Sequence, residues 1–219
     1  MTQTILFGID RLLADPDLRR PLAGRRVALL AHPASVTADL THSLDALAAL
    51  PDIRLTAAFG PQHGLKGDKQ DNMVESPDFI DPQYGIPIFS LYGEVRRPTA
   101  AMMDTFDVLL VDLQDLGCRI YTFITTLRYV LEAAAKHKKA VWVLDRPNPI
   151  NATMVSGPVL EVALRSRFGV YPVPLIYGLT IGELATLYNG EFKIGCRLQV
   201  VKMEGWKRSM YFDQTGLAW

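Results

Sequence analysis

Hydrophobic and polar positions along this chain follow two periods in turn. Mostly apolar runs recur at Val27–Ala31, Ile53–Phe59, Ile86–Tyr92, Val108–Leu113 and Ala140–Leu144. The runs at Val108–Leu113 and Ala140–Leu144 are near-continuous where a half-buried strand would alternate, so they predict strands covered on both faces, as in a parallel sheet, and the other runs read as further strands. Between them the period changes to that of a helix. Residues 4 to 14 put Ile5, Ile9, Leu12 and Leu13 on one face, and Asp15-Pro16 and Arg20-Pro21 stop that helix. A helix from about Thr37 to Leu50 would bury Leu40, Leu44, Leu47 and Ala48, ending at Pro51-Asp52. A short one is predicted over Thr99 to Met103, and Thr180-Ile-Gly-Glu183 is a capping box opening another that runs to Asn189-Gly190. Val173–Ile176, flanked by prolines, reads as a short edge strand, and Arg197–Met203 as an alternating one. This order predicts an α/β fold: a Rossmann-like, doubly wound, mostly parallel sheet of roughly five or six strands.

Residues 107 to 150 make one complete βαβ unit, with a helix from about Tyr121 to His137 between two buried strands. A right-handed crossover brings both strands' carboxyl ends to one edge. Asp112, Gln114, Asp115, Arg119 and Tyr121 follow the first strand there, and Asp145, Arg146 and Asn148 follow the second. Open α/β sheets bind ligands at that edge. A long polar segment from Gly60 to Gly85, without helical or strand period, leaves the second strand and reads as an ordered functional loop. The final stretch, EGWKRSMYFDQTGLAW, has aromatics with no evident element to pack on. That tail reads as a hint that the chain has been cut short.

Composition narrows the partners. Twenty-three basic and 23 acidic residues balance, so nothing favours wholesale binding to nucleic acid or to an anionic membrane. A small, locally recognised partner fits better. No apolar run reaches the ~20 residues needed to span a bilayer, and the amino terminus lacks the pattern of a signal peptide. The chain as it stands reads as cytoplasmic, or as secreted or periplasmic where a leader has been removed. Cys118 and Cys196 lie far apart without metal-like spacing, and Cys118 beside Gly117 reads as a packing residue.

Several chemistries drop out by motif. There is no GxGxxG after a strand, no P-loop, no GxSxG and no HExxH. A hard-cation site from Asp68, Asp71 and Glu75 competes with a solvated loop neutralised by Lys66 and Lys69, and the loose spacing favours the loop. No metal and no cofactor is expected. Gln62-His63 follows the second strand inside a Gly-Pro/Gly turn, where His63 either carries protons and hydrogen-bonds a ligand or braces its own turn. Asp112 and Asp115, close together at a low-dielectric edge, either perturb each other for acid-base work or pair with Arg119. Arg119 and Arg146 are the natural forks for a carboxylate or phosphate.

The motifs GPQHGLKGDKQDNMVESPD, PIFSLYGEVRRPT, VDLQDLGCRIYTF, VLDRPNPI and GLTIGELA, in this order, resemble the peptidoglycan exo-β-N-acetylmuramidases. That resemblance spans nearly the whole chain. It implies a Rossmann-like catalytic domain, here residues 1–200, joined to a smaller carboxy-terminal one of which 201–219 would be the truncated start, with the active site between them, and removal of terminal N-acetylmuramic acid from the non-reducing end of cell-wall fragments. Many members have Glu-His-Gly where this chain has Gln62-His63-Gly64, and that glutamate is the favoured acid. An amide cannot donate its proton in that way. Gln62 is thus expected to bind substrate, and Glu75, Asp112 or Asp115 to supply the proton. Arg119 or Arg146 would hold the lactyl carboxylate, with His63, Gln114, Tyr121, Asp145 and Asn148 completing the substrate site. The alternative is a sugar-binding or regulatory domain that has lost catalysis.

Overall fold

The computed structural model describes residues 5–65, 67, 77–166 and 168–219. Its strands are β1 (Arg26–Ala31), β2 (Arg54–Gly60), β3 (Phe79–Ile80), β4 (Pro87–Ser90), β5 (Val108–Asp112), β6 (Ala140–Leu144) and β7 (Arg197–Val201). They form one seven-stranded sheet in the order β3-β4-β2-β1-β5-β6-β7. Every neighbouring pair is parallel except β3 with β4. This is the expected doubly wound α/β architecture, extended by the two-residue β3 inside a segment whose sequence shows no strand period.

Alternation along each strand decides which helix covers which face. Val27, Leu29, Val108, Leu110, Trp142 and Leu144 point to the layer holding α1 (Gly8–Ala14) and α3 (Ser43–Ala48). Ala28, Leu30, Leu109, Val111, Val141 and Val143 point to the other layer. There they meet α4 (Ala100–Met103), α5 (Phe123–Lys136) and α6 (Ile181–Glu191). The short α2 (Pro16–Arg19) follows Asp15, whose side chain accepts from Asp17 and Leu18 N–H. Thr180 and Glu183 cap the start of α6 reciprocally, as the sequence motif predicts.

Three expectations change. The helix from Thr37 shrinks to Ser43–Ala48, because the Thr37 and Asp39 side chains capture the Thr41 N–H and hold residues 37–41 as a turn. Leu40, expected in the buried stripe, sits at φ +67° and is 57% exposed. Val173–Ile176 forms no strand, and Ile176 makes only single bridges to Cys118 and Ser156. The tail finds partners on the α1 layer. Leu6 and Glu204 pair as a bridge, Phe212 N–H donates to Pro149 O at 3.0 Å, and the Phe212 ring tilts onto Phe7 at 6.2 Å.

The chain passes from β1 outward to β2, then returns to lay β5 on β1's other side. The loops leaving β1 and β5 therefore part company at the carboxyl edge. Such a reversal opens a crevice where α/β sheets take ligands. No helix among the described residues is long and apolar enough to cross a membrane.

Candidate active site

A cleft of about 380 Å³ lies at this reversal. The loops after β1 and β5 form two of its sides, Arg146 from the end of β6 reaches its floor, and the tail residues Phe212 and Trp219 close a third side. No aspartate or glutamate side chain lines it among the described residues. Its polar groups are His32, Thr37, Gln114, Tyr121 and Arg146.

Arg146 is 2% exposed and Asp112 fully buried. Arg146 Nε donates to Asp112 Oδ1 at 2.6 Å, and Nη2 donates to Asp112 Oδ2 at 2.9 Å and to Val36 O at 2.7 Å. The Ser43 hydroxyl donates to Asp112 as well. Both carboxylate oxygens are thus occupied, as a buried charge requires. Nη1 makes no protein hydrogen bond among the described residues, on a side chain that lines the cleft.

His32 directly follows β1. Its Nε2 accepts the Gln114 N–H at 3.0 Å, so in the neutral ring the proton sits on Nδ1. Burial, seconded by the nearby Arg146 cation, pushes its pKa down to about 3. The ring is held edge-on against Phe123 at 4.6 Å. Gln114 is 5% exposed, and its Nε2 donates to Asp115 O at 2.8 Å and Pro147 O at 3.0 Å. Those two bonds use both amide hydrogens and leave Oε1 buried without a donor.

The remaining sequence candidates separate. Asp115 points away from the cleft that Gln114 and Leu116 line on either side of it. It accepts from the Tyr177 hydroxyl and from Gly117 N–H at 2.9 Å. Burial pushes its carboxyl up to about 6, while Tyr177 and the Gly117 N–H pull it down, and Asp112 has no part in the shift. The expectation of two mutually perturbing acids therefore does not describe this edge. Nor does pairing with Arg119, whose Nη1 donates to Pro158 O at 2.8 Å and Val173 O at 2.5 Å. Asp145 accepts from Gly182 N–H at 2.8 Å and from the Thr180 hydroxyl at 2.9 Å, anchoring the start of α6. Burial raises it to about 6. Asn148 donates to Leu179 O at 3.0 Å and packs under Gly117, whose φ of +75° and lack of Cβ admit it. Asp115, Asp145, Arg119 and Asn148 fasten loops to the edge.

Gln62 reaches the central unit from the next strand. Its Oε1 accepts from the Thr122 hydroxyl at 2.9 Å, one residue beyond Tyr121 on the rim of the cleft. His63 and Gly64 both adopt left-handed backbone, at φ +72° and +76°. Strain of that kind at a non-glycine residue concentrates at functional sites. Asp68, Asp71 and Glu75 lie outside the described residues.

His32 and Thr37 are polar cleft residues that sequence reasoning passed over, and His32 is the more informative. Its signal was present: it follows an apolar strand on the same edge as Asp112 and Asp145, and the rule applied to β5 and β6 applies equally to β1.

Comparison with known proteins gives a consistent picture. The family described as "Exo-beta-N-acetylmuramidase NamZ, N-terminal" matches residues 27–219. "Peptidoglycan beta-N-acetylmuramidase NamZ" of Bacillus subtilis (strain 168) is 48% identical over 210 residues, covering 96% of this chain and 50% of that protein. A crystal structure of a DUF1343 family protein from Bacteroides fragilis NCTC 9343 superposes with a TM-score of 0.89 at 42% identity, covering 98% of this chain and 54% of that one. A second from the same organism gives 0.81 at 30%, covering 96% and 55%. The chain spans about half the length of the relatives it matches.

Proposed function

Because this chain belongs to the NamZ exo-β-N-acetylmuramidase family, matching its N-terminal region, we propose that it is the Rossmann-like part of a glycoside hydrolase. The reaction is removal of terminal N-acetylmuramic acid from the non-reducing end of peptidoglycan fragments. The observation that carries this reading is Arg146: a buried guanidinium, fixed by Asp112, with Nη1 left over in a cleft that no Asp or Glu side chain lines among the described residues. Such a group receives an anion on a sugar, and the lactyl carboxylate is the anion that sets muramic acid apart from glucosamine. Tyr121, Gln62 and His63 form the adjoining rim of the sugar site.

Asp112 acts in this reading through Arg146, as a positioning residue, and Asp115 holds the segment carrying Tyr177. Proton donation then falls to the segment after Gln62, with Glu75 its leading carboxyl. Hydrolysis needs an acid at the glycosidic oxygen, with either a second carboxylate or the sugar's own 2-acetamido group attacking the anomeric carbon. The division of the chain near residue 200, with a second subdomain forming the opposite wall, belongs to the same proposal, as does a cell-wall saccharide as partner.

A second reading, a sugar-binding domain without catalysis, is favoured by Gln62, an amide bonded to Thr122 where the family resemblance implies an acidic glutamate. Incubation with a chromogenic terminal muramide separates the two. Release of N-acetylmuramic acid from the non-reducing end supports the hydrolase, and binding without release supports the alternative.

A further inference from the structure

We infer that Thr122 is the positioning residue for Gln62: its hydroxyl holds Oε1 at 2.9 Å, so that the two Nε2 hydrogens of the amide are turned outward as donors to a ligand at the rim of the cleft. The ligand-binding half of this assignment rests on the sugar-site reading. The side-chain lock does not.

Thr122 gives up the contact that its position offers. It stands at the N-cap of α5, where a threonine side chain ordinarily accepts from an N–H of the first turn. Thr99 does this for Met102 N–H at the start of α4, and Thr180 for Glu183 N–H at the start of α6, each from an extended backbone with ψ of 166°. Thr122 instead has helical backbone, φ −76° and ψ −7°, and its side chain caps nothing. Its hydroxyl reaches Gln62, 60 residues away along the chain. A helix start without its side-chain cap is less stable than it could be, which points to a use for that hydroxyl elsewhere.

The contact joins strands that are not neighbours. β1 lies between β2 and β5 in the sheet, so the bond crosses the end of β1 and ties the turn after β2 to the segment that carries Tyr121 into the cleft. The backbone of that turn is fixed on its own account. Gly64 N–H donates to Pro61 O at 2.9 Å, and a Cβ on Gly60 would meet Leu65 N at 2.6 Å. What remains to be aimed is the Gln62 side chain, with its three rotatable bonds and an amide that can present either end.

Thr122 selects the end. With Oε1 toward it, the hydroxyl hydrogen has an acceptor. With the amide turned over, that hydrogen has none among the described residues. Nε2 is left on the far side of the amide, with no protein acceptor among the described residues, and it is open to solvent. Hydroxyl, ring and glycosidic oxygens of a sugar are all acceptors, and Gln62 held in this way meets them as a pair of donors.

The test measures affinity for N-acetylmuramic acid by calorimetry in wild type, Thr122→Val, Thr122→Ser, Gln62→Ala, and Thr122→Val combined with Gln62→Ala. NMR of the Gln62 side-chain amide runs beside it. Valine keeps the shape of threonine without the hydroxyl, so Thr122→Val is expected to weaken binding about three- to tenfold, the span for one neutral hydrogen bond. Thr122→Ser should recover wild-type affinity to within twofold. In the Gln62→Ala background Thr122→Val should cost nothing further, because the side chain it positions is gone. The Gln62 side chain should hold a single rotamer in wild type and Thr122→Ser, and average between rotamers in Thr122→Val. An unchanged affinity in Thr122→Val overturns the inference. So do equal losses in the two backgrounds, since a merely structural threonine would weaken both alike. A Gln62 amide as ordered in Thr122→Val as in wild type overturns it too, and that readout needs no ligand. A wild type that fails to bind N-acetylmuramic acid, with the amide still released by Thr122→Val, sinks the sugar-site reading and upholds the lock.

Discussion

Arg146 grips Asp112 at two points, Nε to Oδ1 at 2.6 Å and Nη2 to Oδ2 at 2.9 Å, with both side chains withdrawn from solvent. Breaking one partner of a buried pair strands the other's charge in a medium that solvates it poorly. Asp112→Asn is therefore expected to cost about 3–5 kcal/mol of stability, read from the denaturant midpoint. Arg146→Lys keeps the charge but loses the fork, so it should weaken both folding and binding of muramic acid. A midpoint for Asp112→Asn equal to wild type would mean that the pair is no anchor.

Asp115 and Asp145 are both held near a pKa of about 6 by burial. An aspartate binds its proton near pH 4 in an unfolded chain, so the folded state takes up the proton more tightly. Stability from these groups is complete below about pH 4 and lost as the pH rises through about 6. Each contributes on the order of 3 kcal/mol across that window. Asp115→Asn, which keeps an acceptor for Tyr177 and Gly117, should flatten about half of the decline in a stability profile from pH 4 to 8. Tyr177→Phe removes the hydroxyl that pulls Asp115 down, and should destabilise more at pH 8 than at pH 4. A pH-independent penalty for Tyr177→Phe would contradict the assigned contact.

His32 runs the other way. Its pKa is depressed to about 3, chiefly by burial and then by Arg146, against about 6.5 in an unfolded chain. The neutral ring stabilises the fold above pH 6.5, and that contribution disappears as the pH falls through about 3. His32→Phe should therefore show a shallower acid limb than wild type. In the wild-type protein the His32 ring resonances should hold steady from pH 5 to 8 by NMR. Titration of that ring near pH 6.5 would remove the neutral donor from the site.

Much of this arrangement was readable from the sequence, and the parts that were not share a physical cause. The continuous apolar runs at β5 and β6 and the capping box at Thr180 are local patterns, so they survive folding unchanged. Asp112 and Arg146 are 34 residues apart, and sequence proximity favoured Arg119 instead. Strand parity puts Asp112 on the face of Leu110, but Arg146 lies past the end of β6, and only the fold shows its guanidinium meeting Asp112. Asp115 lies past the end of β5, where parity stops, and only the fold shows it turning toward Tyr177. The turn at residues 37–41 was missed because side-chain capture by Thr37 and Asp39 overrode a helical pattern. The tail aromatics looked unpartnered because Phe7 is more than 200 residues away along the chain.

Gln62 and Glu75 offer the sharpest test of how the proton is delivered. Gln62 Oε1 is held by the Thr122 hydroxyl at 2.9 Å, and a glutamate there would accept the same bond, so Gln62→Glu should fold normally. If the proton comes from the following segment, Glu75→Gln should lower kcat by about 10²–10⁴-fold, the usual span for losing a general acid, with KM nearly unchanged. Gln62→Glu should then leave kcat within a few-fold of wild type, because a second acid at the rim does not replace one already in position. The opposite pattern, an inactive wild type made active by Gln62→Glu, would assign the chain to the binding class and the missing chemistry to that one amide. Steady-state kinetics on a chromogenic muramide, with each variant's melting temperature checked beside wild type, distinguishes the two patterns.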